Sequence, residues 1–138
     1  MARLWADAVT ALVWLTRLPL GRFLPGTPVP LARAAWAFPL AGLAVAMAAA
    51  AVLLLADTLG LSAAIAAILA VGMQVWLTGG LHEDGLADYA DGCGGATRAR
   101  SLEIMRDSRI GSYGVLALLL VINIWQGRFV RRLHGGKG

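Results

Sequence analysis

From Ala34 to Ala56 no residue carries a charge, and this run constrains the fold more than any other feature of the chain. Coiled as a helix at about 1.5 Å per residue, it is long enough to cross a hydrocarbon core of roughly 30 Å. Asp57-Thr58-Leu59-Gly60 then marks a turn, and Leu61 to Thr78 forms a second uncharged run. The two predict a tight helical hairpin, whose many alanines let helices approach closely in lipid. A third uncharged run, Ile110 to Gln126, is punctuated by glycine and then strongly aliphatic, and it is marginally long enough to span. Ahead of all three, residues 3 to 18 place Leu4, Trp5, Ala8, Leu12 and Leu15 at helical spacing, interrupted by Asp7, Thr10 and Arg17. That pattern predicts a helix lying at a membrane interface, or half-inserted. Pro19 to Pro30, with its prolines and glycines, reads as a loop. The fold expected is all-α: a polytopic membrane helical bundle with an amphipathic N-terminal helix and about three membrane helices.

Composition agrees. Hydrophobic residues make up 59% of the chain and charged residues 14%, a balance that points to a lipid bilayer as solvent. The net charge of +4 does not indicate a nucleic-acid partner, because the bases flank apolar segments and form no single stripe. Arg3, Arg17, Arg22 and Arg33 precede the first span, and the hairpin turn has no base. Counting bases therefore puts the amino terminus and the loop 79–109 in the cytoplasm. Trp36 and Trp76 are expected in one aromatic belt. The end of the chain breaks this rule: if the third run crosses, Arg128, Arg131, Arg132 and Lys137 emerge on the opposite side. No cleavable signal peptide is recognisable, and the single cysteine, Cys93, reads as a small residue in a glycine-rich turn.

The chemistry is concentrated between Glu83 and Gly114. Six acids fall there: Glu83, Asp84, Asp88, Asp91, Glu103 and Asp107. On a helix, Asp84, Asp88 and Asp91 are spaced i, i+4, i+7 and share one face. Three like charges on one face repel one another, and a solvated acidic face is a poor account of them beside two membrane spans. A divalent cation rewards the arrangement, since carboxylate oxygens are the ligands that Mg²⁺ or Mn²⁺ accepts. Glu83, one position off that face, and Asp107, further on, complete the expected metal set, and Asp84, Asp88 and Asp91 are the expected catalytic residues. The glycines that bracket the acids suit close backbone approach to an anion, although membrane helices also use glycine for packing. Arg98, Arg106, Ser108 and Arg109 are the candidate phosphate-binding residues, because guanidinium groups take phosphate bidentately. Arg98 and Arg100 read equally well as charges that mark the cytoplasmic side. His82, a single histidine at a membrane edge, reads as structural. Acids for a metal and arginines for phosphates is the division of labour of phosphoryl transfer, with a spare carboxylate to take a proton from an attacking hydroxyl.

The run GGLHEDGLADYADGCGG followed by RARSLEIMRDSRIGSYGVLALLL closely resembles the cobalamin synthase family, the cobalamin 5'-phosphate synthases. LVWLTRLPLG resembles the family's opening element and RAAWAFPLAGLAVA its first span. The resemblance covers residues from about 5 to 122. It implies a Mg²⁺-dependent transfer that joins adenosylcobinamide-GDP to α-ribazole, or its 5'-phosphate, and releases GMP. It places the reaction at the cytoplasmic face of a bacterial inner membrane, in a multi-pass protein for which a homo-oligomer is open. Family members continue through several further spans, so residues 1–122 are expected to be the N-terminal part of such a domain. Residues 123–138 are then an atypical basic tail of a truncated or frame-shifted ending. A CDP-alcohol phosphotransferase uses similar logic, but its D-x-x-D-G-x-x-A-R order is approached here and not met. An ion-binding membrane subunit or an inactive remnant is the non-enzymatic alternative.

Overall fold

The computed structural model describes residues 1–134, with the side chains of Ala2 and 125–134 excepted. Among the described residues there is no strand. Seven α-helices follow in order: α1 Ala2–Leu15, α2 Leu31–Ala34, α3 Phe38–Thr58, α4 Ala63–Thr78, α5 Leu81–Gly92, α6 Arg98–Ile104 and α7 Ser112–His134. The all-α expectation is met. The chain forms two compact units, Met1–Gly79 and Gly80–Gly138.

In the first unit α3 packs against α4 as the hairpin the two uncharged runs predict. The turn comes slightly later than expected: Asp57 and Thr58 still belong to α3, and Gly60 takes a left-handed φ of 68°. Ser62 starts α4 by accepting the Ile65 amide on its hydroxyl, which satisfies one of the donors that a helix start leaves open. The buried residues of the hairpin are almost all alanines: Ala41, Ala49 and Ala56 on α3, and Ala66, Ala67 and Ala70 on α4. The large side chains face outwards, Leu54 at 70% exposure and Met47, Ile68 and Trp76 at more than half. Water would penalise so broad an apolar surface, whereas in lipid the small-inside, large-outside order gives close packing without loss.

The helical stretch Leu31–Thr58 is long and apolar enough to cross a membrane, and only 11% of its most apolar window is buried. Among the described residues it is the one helix that qualifies alone; α4 reaches that length only when α5 is counted with it. The apolar part of α7, Ser112–Ile124, is shorter: at about 1.5 Å per residue it rises roughly 20 Å. Of the expected tail 123–138, the backbone continues α7 as far as His134, and the side chains from 125 on, together with Gly135–Gly138, lie outside the described residues.

Helix α1 forms where periodicity puts it, with the large apolar side chains outwards. Its buried residues are Asp7, Val9, Thr10 and Ala11, while Leu4, Trp5 and Trp14 are exposed. Asp7 and Thr10 thus face the interior, whereas Arg17 is exposed. A buried carboxylate needs compensating partners, and Asp7 has them: Arg33 donates from Nε (3.0 Å) and Nη2 (2.8 Å) to Oδ1, and Trp36 donates from Nε1 (3.2 Å) to Oδ2. Burial raises the Asp7 pKa, but the hydrogen bonds from Arg33 and Trp36 and the Arg33 charge outweigh this and leave it below the ordinary value. Thr10 satisfies its own hydroxyl on the Ala6 carbonyl. Just past α1, the Arg17 amide donates to the Leu77 carbonyl at 2.7 Å, capping an acceptor that the end of α4 leaves open. Gly79 ends α4 in the left-handed conformation, where a β-carbon would also meet the Arg17 side chain.

Candidate functional site

Every candidate residue lies in the second unit. Gly80, at φ 76°, precedes α5, and Glu83 and Asp84 occupy the first turn of that helix, where a negative charge favours the helix dipole. Asp84 is exposed, and Asp88 is half-buried one turn on. Glu83 is half-buried, with its Oε2 fully enclosed and without a hydrogen-bond partner. An orphaned carboxylate oxygen of this kind is costly and fits a missing cation or donor. Glu83, Asp84 and Asp88 thus offer the oxygen chemistry a hard divalent cation requires, although among the described residues no three His, Cys, Asp or Glu side chains already converge as a metal cluster.

The other two expected ligands are engaged elsewhere. Asp91 accepts the Gly111 amide on Oδ2 at 2.7 Å and the Gly114 amide on Oδ1 at 2.8 Å. Asp107 is held by Arg109: the Arg109 amide and Nε reach Oδ1, both at 3.1 Å, and Nη2 lies 2.6 Å from Oδ2. The side-chain hydrogen bond from Arg109, then its backbone one, hold Asp107 at about 2, and the same pairing raises the Arg109 pKa. Because the Arg109 side chain is 86% exposed, the pair is a local Asx-type turn with an attached ion pair and contributes little to stability.

These two groups meet at one cleft of about 390 Å³, whose walls include Asp91, Asp107 and Arg109 together with Arg100, Glu103 and Tyr113. Arg106 lies with Asp107 on a neighbouring hollow. Arg98, at the start of α6, and Ser108 are exposed and line neither. The candidate set is therefore divided. Asp91, Asp107 and Arg109 come together, whereas Glu83, Asp84 and Asp88 run along α5 apart from that cleft. Glu103 and Tyr113 are wall residues that motif reading does not single out, and Arg100, which reads equally well as a phosphate ligand or a side marker, stands on the same wall. The signal for Glu103 is local: Thr97 accepts the Arg100 amide as the N-cap of α6, and Arg100 pairs with Glu103 at 2.8 Å, one turn on.

The glycines after Asp91 serve packing here. A β-carbon at Gly92 would strike the Met105 side chain, and one at Gly95 would lie 2.6 Å from the Ser101 amide nitrogen. They let α6 and its ends fold back on α5, a role distinct from anion binding.

Comparison with known proteins bears on the same residues. A family profile described as Cobalamin-5-phosphate synthase matches residues 7–131. Curated relatives named adenosylcobinamide-GDP ribazoletransferase include one from Azorhizobium caulinodans, 54% identical over 122 residues, which are 86% of this chain and 46% of that protein. Another, from Bradyrhizobium diazoefficiens, is 53% identical over 116 residues, 83% of this chain and 45% of its own. A third, from Allorhizobium ampelinum, is 48% identical over 119 residues, 86% of this chain and 46% of its own. The chain thus spans about half the length of the curated relatives it matches. No solved structure matches it. Since the profile runs from within α1, through the hairpin and the acid-bearing α5, into α7, the chain belongs to the cobalamin-5-phosphate synthase family.

Proposed function

We propose that this chain carries the acid- and arginine-bearing part of a membrane-bound transferase that joins adenosylcobinamide-GDP to α-ribazole, or its 5'-phosphate, with release of GMP. The observation that carries the reading is that relatives bearing that enzyme's name are about half identical to this chain over 83% and 86% of its length. The inside-out hairpin and the Leu31–Thr58 helix support a bilayer as the setting, with further spans making a polytopic bundle. The bases ahead of α3 favour a cytoplasmic face for α5 and α6.

In this reading Glu83, Asp84 and Asp88 hold a divalent cation, Mg²⁺ or Mn²⁺. Bound there, the ion would neutralise phosphate oxygens and so lower the barrier to displacement. Arg109 and Arg100 on the cleft, with Arg98, Arg106 and Ser108 nearby in sequence, bind the diphosphate by charge-assisted hydrogen bonds. A hydroxyl of the ribazole attacks the phosphorus attached to the cobinamide arm. Its oxygen forms the new O–P bond, its proton passes to a carboxylate of α5, and the bond from that phosphorus to the bridging oxygen breaks, so that GMP leaves with the oxygen.

The test is a transfer assay on membranes holding this chain, given adenosylcobinamide-GDP and α-ribazole with Mg²⁺ or with EDTA. Metal-dependent cobalamin that disappears in Asp84→Asn and Asp88→Asn is the result expected. Turnover that survives both substitutions would refute the assignment of the acids. No turnover by a chain shown to be inserted would mean that this part does not carry out the transfer by itself.

A further inference from the structure

We propose that Asp91 is a positioning residue and not a metal ligand: it clamps the amino end of α7 and thereby fixes the wall of the cleft that carries Arg109. The consequence for catalysis rests on the transferase reading above; the assignment itself rests on geometry.

Asp91 stands in the last turn of α5, where the negative end of its own helix dipole disfavours a carboxylate. It is turned instead to the start of α7, whose first amides lack partners within their helix. Each of its two oxygens accepts an amide there, Oδ2 from Gly111 just before the helix at 2.7 Å and Oδ1 from Gly114 in its first turn at 2.8 Å. Charge-assisted bonds of this length are the strong class, and the two together fix both the position and the direction of the carboxylate.

The two glycines make the clamp sterically feasible. A β-carbon at Gly111 would collide with the Asp91 carboxylate. One at Gly114 would lie 2.5 Å from Asp91 Oδ2 and 3.0 Å from the Ala87 carbonyl oxygen, which is backbone and cannot swing away. Neither glycine has a left-handed φ, so conformational freedom is not what these positions need; closeness to Asp91 is. The segment between the clamp and α6 is short. Only Ile110 separates Gly111 from Arg109, and the Asp107–Arg109 turn is already closed on itself. Pinning Gly111 therefore sets where the Arg109 guanidinium stands over the cleft, whose wall also includes Gly111 and Tyr113.

The experiment uses the full chain in detergent or nanodiscs with ¹³C-carboxyl aspartate and ¹⁵N-glycine, titrated with Mg²⁺. The Asp84 and Asp88 carboxyl signals should move on binding, while the Asp91 signal stays fixed and the Gly111 and Gly114 amides keep their protection from exchange. In Asp91→Asn, whose amide can serve only one of the two donors, both glycine amides should lose protection at least tenfold. Mg²⁺ affinity should stay within threefold of wild type. Gly114→Ala, which breaks the clamp from the other side, should match Asp91→Asn in transfer assays, with the loss falling on KM for the GDP-bearing substrate, and the double variant should be no worse than either alone. An Asp91 signal that moves with the same Kd as Asp84, or Gly111 and Gly114 amides that exchange freely in the wild type, would overturn the proposal. If no aspartate responds to Mg²⁺ but the amides are protected, the clamp stands and the metal reading falls, so the two fail separately.

Discussion

Replacing Ala49 by leucine tests the inside-out packing of the first unit. Ala49 is 4% exposed on the stripe of α3 that also buries Ala41 and Ala56, and α4 presents Ala66, Ala67 and Ala70. Side chains this small hold the helix backbones close, so the added carbons of leucine have no space and must push the helices apart. Overpacking of that kind costs about 1–3 kcal/mol, or roughly a 5- to 150-fold fall in the folded-to-unfolded ratio at about 1.4 kcal/mol per factor of ten. The control is Leu54→Ala on the same helix. Were Leu54 a core residue, its truncation would cost about 2–5 kcal/mol; at 70% exposure it should stay within about 0.5 kcal/mol. Reversible unfolding in mixed micelles, followed by far-ultraviolet circular dichroism, measures both. A silent Ala49→Leu with a costly Leu54→Ala would refute the reasoning, because it would mean that the large residues, and not the alanines, are the packed face.

Two further outcomes follow from the second unit. Asp107, held at about 2 by Arg109, has a folded value below its unfolded one near 3.9. Its contribution to stability is therefore present above about pH 4 and is lost as the pH falls towards 2. A carboxyl titration by NMR should find its midpoint well below the ordinary aspartate range, and Arg109→Gln should return it there; an unshifted midpoint in the wild type would dismiss the pair. At Gly85 a β-carbon would meet nothing within 4 Å and φ is not left-handed, so Gly85→Ala should stabilise α5 by about 0.5–1 kcal/mol. Thermal unfolding would read the gain, and destabilisation would show that some group approaches the backbone at that position.

How much of this was legible in the sequence depends on the range of the interaction. Charge-free runs and alanine content determine the hairpin locally, so its existence and its packing face are readable. The same periodicity finds α1 and its outward apolar stripe, but apolar spacing cannot anticipate that Arg33 and Trp36, some twenty-six residues or more downstream, donate to Asp7 and hold it on the buried side. The i, i+4, i+7 rule places three aspartates on α5 and treats them as equivalent. They are not, since Asp91 is bound by amides twenty residues on, a distance at which no helical periodicity has a voice. Gly111 and Gly114 were visible as glycines, but two meanings compete for a glycine, a turn or a close approach, and only tertiary structure decides between them.

The hydrogen bond from the Arg17 amide to the Leu77 carbonyl has a consequence for the order in which the first unit assembles. It closes a loop of about sixty residues, an entropic cost that is met only after the intervening chain has found its own local contacts. Helix α1 is made before α4, yet the hydrogen bond just past its far end forms only once the last turn of α4 has been made. Synthesis and docking therefore run in different sequence: the hairpin completes, and the end of the earlier-made α1 is then tied to a carbonyl in the last turn of α4.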